Sequence, residues 1–136
     1  MKTLRLLIVE DEMIIASMLA EILTGRGHEV IGIAGTGDEA IALIEALGPD
    51  LVFMDIKLKG KKDGIETAEE IYLRYRVPVI YMTAHSDNET VRRAETTVSY
   101  GYVMKPFREN EIFTSLDEAL VRIKSERKNQ KDFFGK

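Results

Sequence analysis

The sequence predicts a three-layer α/β fold, in which helices cover both faces of one doubly wound parallel sheet of five strands. Five short and almost wholly apolar runs alternate along the chain with longer segments of helical character. Apolar runs of this kind are typical of strands that helices bury on both faces. Polar or charged side chains directly follow four of the runs. Because the carboxyl ends of parallel strands open into one crevice, we expect a functional site there.

The first half of the chain is predicted to contain three strands and two helices. The expected bounds are 4–9 for strand β1, 12–24 for helix α1, 29–34 for strand β2, 39–47 for helix α2 and 51–54 for strand β3. Glycines end both helices, at Gly25 and Gly27 and at Gly48. Asp38 is the expected N-cap of α2, since its carboxylate can accept from the free N–H groups of the first turn. His28 is expected at the surface.

The second half of the chain repeats the alternation. The expected bounds are 64–74 for helix α3, 78–82 for strand β4, 102–104 for strand β5 and about 108–128 for helix α5, with helix α4 starting after residue 87. A polar loop joins β3 to α3. The unbroken alternation over 136 residues predicts one domain with a core of its own.

Composition excludes several classes of function. The chain has no cysteine, so it has neither a disulfide framework nor a thiolate metal site. Its start lacks a signal-peptide layout, and no apolar stretch approaches the roughly 20 residues of a membrane span. We therefore expect a cytoplasmic location and no contact with a membrane. A net charge of −4 argues against nonspecific binding of nucleic acid.

Charged and hydroxyl side chains stand at the ends of four predicted strands. Glu10 and Asp11 follow β1, and Asp55 follows β3. Thr83 follows the apolar run of β4, and Lys105 ends β5. If the four ends lie side by side, the three carboxylates converge on one point, which is unfavourable unless a cation neutralises them. The pattern therefore predicts an acidic, cation-binding pocket.

In their order and spacing these residues resemble a response-regulator receiver domain of two-component signalling. The resemblance covers residues 4–122 and includes Ala84 after the threonine, Pro106 and Phe107 after the lysine, and Gly101 with Tyr102 before it. It implies a flavodoxin-like fold with strand order 2-1-3-4-5. It also implies that the chain accepts a phosphoryl group from a sensor histidine kinase or a histidine phosphotransfer protein. No enzymatic activity is implied beyond the chain's own phosphorylation and dephosphorylation.

The chemistry of the pocket residues fits such a role. The carboxylate of Asp55 is a competent nucleophile, and aspartyl phosphate is a known type of covalent intermediate. Oxygen ligands suit Mg²⁺, with Mn²⁺ as a substitute, and we expect them from Asp11, Asp55 and the backbone carbonyl of Lys57. Glu10 is expected to act on the ion directly or through water. Lys105 is expected to neutralise charge on the transferred phosphoryl oxygens.

The resemblance assigns further roles. It implies that Thr83 bonds a phosphoryl oxygen and that Tyr102 turns inward in response, so that the pair forms a switch. It implies a cis peptide between Lys105 and Pro106. The surface formed by α4, β5 and α5 would then be recognised by a downstream protein or output domain. The residues before Tyr102 lack the paired acids of receivers in winged-helix transcription factors, so a homodimer of that type is not implied, and homodimerisation stays open.

The resemblance implies that two further positions flank the phosphoryl group, and here they hold Lys57 and His85. Both are bulky, and neither is a carboxylate or amide suited to orient an attacking water, so we expect slow loss of the phosphoryl group. The alternative is that neutral His85 acts as a general base. The loop over residues 56–64 departs from the commonest family pattern because it lacks proline and is one residue longer. Its four lysines either attract an anionic phosphodonor or form solvated surface.

Helix α1 has more apolar residues than one buried stripe requires, so either the whole helix is buried or one of its edges is exposed. The family resemblance implies that this region docks the phosphodonor protein, with Ile14 and Met18 as the expected contacts. Residues 123–136 form an extension of α5 and a polar, basic tail, which fits either a stand-alone receiver or the start of a linker.

The sequence leaves two alternative functions from other classes. A haloacid-dehalogenase-like phosphatase needs a second acid at the position of Lys57, so this alternative is weak. A nonphosphorylated pseudo-receiver that acts only as an interaction module is the stronger alternative.

Overall fold

The computed structural model describes residues 3–84 and 88–133. Its strands form one parallel sheet in the order β2-β1-β3-β4-β5, which confirms the predicted flavodoxin-like α/β fold. The strands are β1 (Arg5–Val9), β2 (Glu29–Ala34), β3 (Leu51–Asp55), β4 (Val79–Ala84) and β5 (Gly101–Lys105). The helices are α1 (Met13–Gly25), α2 (Gly37–Leu47), α3 (Gly64–Tyr75), α4 (Asn88–Glu95) and α5 (Glu109–Phe133).

The sheet divides the core into two apolar clusters, because successive residues of a strand point to opposite faces. On one face Leu7 and Met54 pack with residues of α2 and α3. On the other face Ile8 and Phe53 pack with residues of α1 and α5. The central strands β1, β3 and β4 are almost wholly buried, as their apolar sequences predict, whereas the edge strands β2 and β5 are only partly buried. The helices packed on both faces thereby fix the position along the sheet at which each strand ends.

Strand register brings the predicted site residues to one edge of the sheet. Val9 pairs with Met54, so the residues after β1 and the last residue of β3 leave the sheet side by side. Asp55 in turn pairs with Met82, the residue before Thr83. The convergence inferred from the sequence is therefore a consequence of the parallel register.

Side-chain caps fix the starts of α2 and α3. The predicted N-cap of α2 is wrong by two residues: the side chain of Thr36, not of Asp38, accepts from the Glu39 N–H, at 3.2 Å. Helix α3 starts with a capping box, in which Asp63 accepts from the Glu66 N–H at 2.9 Å and Glu66 accepts from the Asp63 N–H at 3.1 Å. The box anchors α3 directly after the loop that follows Asp55.

His28 is buried, which contradicts its predicted surface position. Gly27 turns the chain with φ of 95°, and the Leu4 N–H donates to Nδ1 of His28 at 3.1 Å. Burial lowers the pKa of His28, the charge of Arg26 adds to this effect, and Asp117 opposes it. The neutral imidazole is therefore the form that suits the folded chain.

Helix α5 extends to residue 133, beyond the predicted end near residue 128. Neither glycine nor proline interrupts the sequence from residue 108 to residue 134. The Tyr100 hydroxyl donates to Oε1 of Glu126 at 2.5 Å. Arg122 donates to the Ser99 carbonyl at 2.8 Å and stacks 4.2 Å from the centre of the Tyr100 ring. These contacts tie the late turns of α5 to the start of β5.

Within residues 3–84 and 88–133, every helix is too short or too polar to span a membrane.

His28 predicts a measurable pH dependence of stability. Its pKa in the folded chain lies below the unfolded value of about 6.5, so its contribution to stability is complete above that pH and is lost as the pH falls. Urea unfolding at pH 7.5, 6.5 and 5.5 should therefore show that the stability advantage of wild type over His28→Gln shrinks with falling pH. Glu29→Gln, at an exposed neighbouring position, serves as the control. A wild-type advantage that is constant across the range would contradict the buried neutral histidine.

Candidate functional site

Three carboxylates meet at the carboxyl ends of β1 and β3. One oxygen each from Glu10, Asp11 and Asp55 lies within 4.8 Å of the other two. The strands are neighbours in the sheet, so residues that are far apart in sequence become adjacent in space. The sequence-based prediction of an acidic cluster is confirmed.

Glu10 is the most deeply buried member of the cluster, with no exposed surface. Its Oε2 accepts from the Glu12 N–H at 3.1 Å, and its Oε1 accepts from Nζ of Lys105 at 2.5 Å. Burial raises the pKa of Glu10 to about 7, although these two hydrogen bonds act to lower it, and the charge of Asp55 adds to the rise. The hydrogen bonds from Lys105 and from the Glu12 N–H therefore offset only part of the cost of burying the ionised Glu10 carboxylate.

Lys105 supplies the positive charge of the pocket. Its Nζ lies 2.5 Å from Oε1 of Glu10 and 3.3 Å from Oδ2 of Asp55, so one ammonium group contacts two carboxylates. Burial acts to lower the pKa of Lys105, but the Glu10 hydrogen bond and the charges of both carboxylates outweigh it and raise that pKa. The peptide between Lys105 and Pro106 is cis, as the resemblance implies.

The backbone around Asp55 is held from two sides. The Lys57 N–H donates to Oδ1 of Asp55 at 3.0 Å. At the start of α3, a Cβ on Gly64 would lie only 1.8 Å from the Asp55 carbonyl oxygen, and the Gly64 N–H donates to the Ile56 carbonyl at 3.1 Å. Only glycine permits this approach of helix to strand. The sequence indicated Gly64 only as the start of α3, and its position directly after the N-cap Asp63 was the signal that pointed to a special role.

Five of the predicted site residues line one cavity of about 220 Å³. They are Asp11, Asp55, Lys57, Thr83 and Lys105, whereas Glu10 is fully buried and is not part of the lining. Thr83 is buried, and its hydroxyl donates to the Ala84 carbonyl at 3.3 Å, which is a long hydrogen bond. The hydroxyl is therefore weakly held beside the cavity.

Tyr102 stands apart from this group. Tyr102 is 37% exposed and does not line the cavity; its ring centre lies 5.7 Å from that of Tyr81. The switch role of Tyr102 stays a prediction. His85 lies outside the described residues.

The donor set fits a divalent cation that prefers oxygen ligands. Carboxylates are the side-chain ligands that Mg²⁺ prefers, and three of them face one point here. The raised pKa of Glu10 indicates that its negative charge is incompletely compensated, although Lys105 contacts it. A cation in the cluster would favour the ionised carboxylates.

Comparisons with known proteins agree with the geometry. Residues 6–117 match the family model of the response regulator receiver domain. The chain is 39% identical over 120 residues to the transcriptional regulatory protein PdtaR of Mycobacterium tuberculosis. That alignment covers 88% of this chain and 58% of PdtaR, so the chain spans less than two thirds of this relative.

Solved structures show the same similarity. The signal receiver domain of a modulated diguanylate cyclase from Desulfovibrio desulfuricans G20 is 34% identical with a TM-score of 0.86, over 92% of this chain and 99% of that one. The N-terminal domain of a response regulator/sensory box/GGDEF 3-domain protein from Carboxydothermus hydrogenoformans is 36% identical with a TM-score of 0.81, over 90% and 98%.

Removal of the Lys105 charge is predicted to destabilise the metal-free protein in a pH-dependent way. In Lys105→Met, Glu10 and Asp55 lose their shared partner, and we expect a loss of about 3 kcal/mol at pH 8. The loss should be smaller at pH 5.5, where Glu10 is protonated and repels Asp55 less. Urea unfolding in EDTA measures both values, with the exposed Lys124→Met as control. An equal loss at the two pH values would show that Lys105 contributes packing and not charge.

Proposed function

Since this chain belongs to the response regulator receiver domain family, we propose that it accepts a phosphoryl group on Asp55 in a Mg²⁺-dependent reaction. The observation that carries the proposal is the meeting of three carboxylates and one lysine at one cavity. Receiver domains pair with histidine kinases, so the donor is a sensor histidine kinase or a histidine phosphotransfer protein.

Asp55 is the nucleophile in this proposal. One of its carboxylate oxygens attacks the phosphorus of a phosphohistidine, the P–N bond breaks, and its electron pair returns to the imidazole. The product is an acyl phosphate on Asp55. The Lys57 N–H, which donates to Oδ1, fixes the orientation of the carboxylate and leaves Oδ2 on the side of Lys105. Gly64 keeps the Asp55 backbone against the start of α3.

Glu10, Asp11, Asp55 and the backbone carbonyl of Lys57 are the groups that would hold the ion. Mg²⁺, or Mn²⁺ in its place, would neutralise the negative charge on the phosphoryl oxygens. Glu10 lies deepest, with its oxygens engaged by Lys105 and by the Glu12 N–H, which suits contact through water. Asp11 is more accessible and suits direct ligation.

Lys105 and Thr83 would stabilise the phosphorylated state. The Lys105 ammonium already contacts Oδ2 of Asp55 at 3.3 Å, within reach of a group attached there. The weakly held hydroxyl of Thr83 can turn to donate to a phosphoryl oxygen. Movement of Thr83 would leave room for the half-exposed Tyr102 to turn inward and so change the surface of α4, β5 and α5. A downstream protein or output domain would recognise that surface.

Helix α1 provides the proposed docking surface for the phosphodonor protein. Met13, Ile14 and Met18 are exposed, and α1 starts beside the cavity, which supports the contacts that the sequence suggested. In this proposal residues 4–122 form the receiver domain, and residues 123–136 form an extension of α5 with a basic tail. The proposed setting is cytoplasmic signalling, without membrane or nucleic-acid contact by this domain.

The first prediction concerns the acceptor. Incubation with Mg²⁺ and acetyl phosphate should add one phosphoryl group to wild type, measured by intact mass. Asp55→Asn and EDTA should each abolish the gain, because the nucleophile or the ion is then absent. Asp38→Asn, which alters an exposed carboxylate in α2, should behave as wild type. Full modification of Asp55→Asn would refute the assignment, and an unmodified but folded wild type would favour the pseudo-receiver.

The second prediction concerns the switch. Beryllofluoride with Mg²⁺ stands in for the phosphoryl group, and amide chemical shifts should change in the pocket and also around Arg93, Val98 and Tyr102. In Thr83→Ala the pocket changes should remain while the distant ones largely vanish, because the hydroxyl links the two regions. Distant changes of equal size in Thr83→Ala would contradict the proposed role of Thr83.

A further inference from the structure

Lys59 carries a second ammonium group to the acidic pocket. Its side chain is 87% exposed, yet its Nζ lies 3.8 Å from Oδ2 of Asp11, and Lys59 lines the cavity together with Asp55. Lys105 contacts the other two carboxylates. The three acids are thus shared between a partly buried lysine at the end of β5 and an exposed lysine in the loop between β3 and α3.

The pairing of Lys59 with Asp11 is of a kind that breaks easily. An exposed ion pair at this distance contributes little to stability, because solvent screens the charges and the long side chain loses freedom when it is held. Lys62 in the same loop is engaged differently, in an ion pair with Glu70 of α3. Lys59 is therefore an exposed and weakly paired positive charge that lines the cavity.

The position of Lys59 has two electrostatic consequences. A cation that is ligated by Asp11 must compete with the Lys59 ammonium for the same carboxylate oxygens. Once the cation has displaced it, the ammonium stays within reach of the cavity, where it attracts an incoming anion.

We propose that Lys59 exchanges between two anions: it neutralises Asp11 in the metal-free protein and turns to the phosphodonor when the metal is bound. Lys59 thereby weakens metal binding and attracts the anionic phosphoryl group of the donor. This inference rests on the proposed function, and it assigns to one exposed side chain an effect on metal affinity and an effect on the rate of phosphorylation.

Metal binding is the first test and needs no phosphoryl transfer. Isothermal titration with MgCl₂ alone should show that Lys59→Gln binds Mg²⁺ about three-fold more tightly than wild type, the scale of one exposed ion pair. Lys61→Gln is the matched control, because Lys61 is an exposed lysine of the same loop but does not line the cavity. Equal affinities in wild type and Lys59→Gln would overturn the competition with the metal.

The second test measures donor attraction at saturating Mg²⁺. The initial rate of phosphorylation by acetyl phosphate should fall about three-fold in Lys59→Gln at low salt, and its dependence on NaCl should be weaker than in wild type or Lys61→Gln. Identical rates and salt dependence would overturn the role of Lys59 toward the donor. If wild type takes up no phosphoryl group, the proposed function fails and the donor role fails with it, whereas the titration still decides the competition at Asp11.

Discussion

The contact of one lysine with two carboxylates is the interaction on which the rest of the site depends. A parallel sheet in the order β2-β1-β3-β4-β5 places the ends of β1 and β3 side by side, so Glu10 and Asp55 are forced together. Without a neighbouring positive charge, their repulsion and the burial of Glu10 would oppose folding. Lys105, from the far strand β5, offsets both, while Asp11 faces the exposed Lys59. The fold thus holds a concentrated negative charge ready for a cation.

Sequence reasoning predicted the parts of this arrangement that depend on one simple rule. Apolar runs identify buried strands, the residue that ends each run lies at the sheet edge, and parallel strands share that edge. Glu10, Asp11, Asp55, Thr83 and Lys105 were all found in this way.

Features that depend on packing between elements distant in sequence were missed. His28 looks like a loop residue until the start of β1 is seen to donate to it. The need for glycine at Gly64 becomes visible only when the Asp55 carbonyl is placed against α3. The N-cap of α2 was assigned to Asp38, although Thr36 is also a favoured capping residue, and the backbone path decides between them.

Strand β5 and the residue before it bring a pocket residue and a residue that contacts α5 within a few positions of one another. Lys105 ends the strand inside the pocket, Tyr102 lies within it on the exposed side, and Tyr100 precedes it and bonds Glu126 of α5. A displacement of Lys105 toward a phosphoryl group would therefore act on a strand that also holds the proposed switch aromatic and the late turns of α5. In the proposed function, the short strand β5 would therefore link phosphorylation in the pocket to the proposed output surface.

The most direct test of this account is a crystal structure of the chain with Mg²⁺ and beryllofluoride, which stands for the phosphoryl group on Asp55. The account predicts beryllium bonded to a carboxylate oxygen of Asp55, Mg²⁺ ligated by Asp11 and Asp55, and Nζ of Lys105 moved from Glu10 to a fluoride. A structure in which beryllofluoride binds elsewhere, or in which Lys105 keeps its contact with Glu10 while Asp55 is occupied, would contradict it.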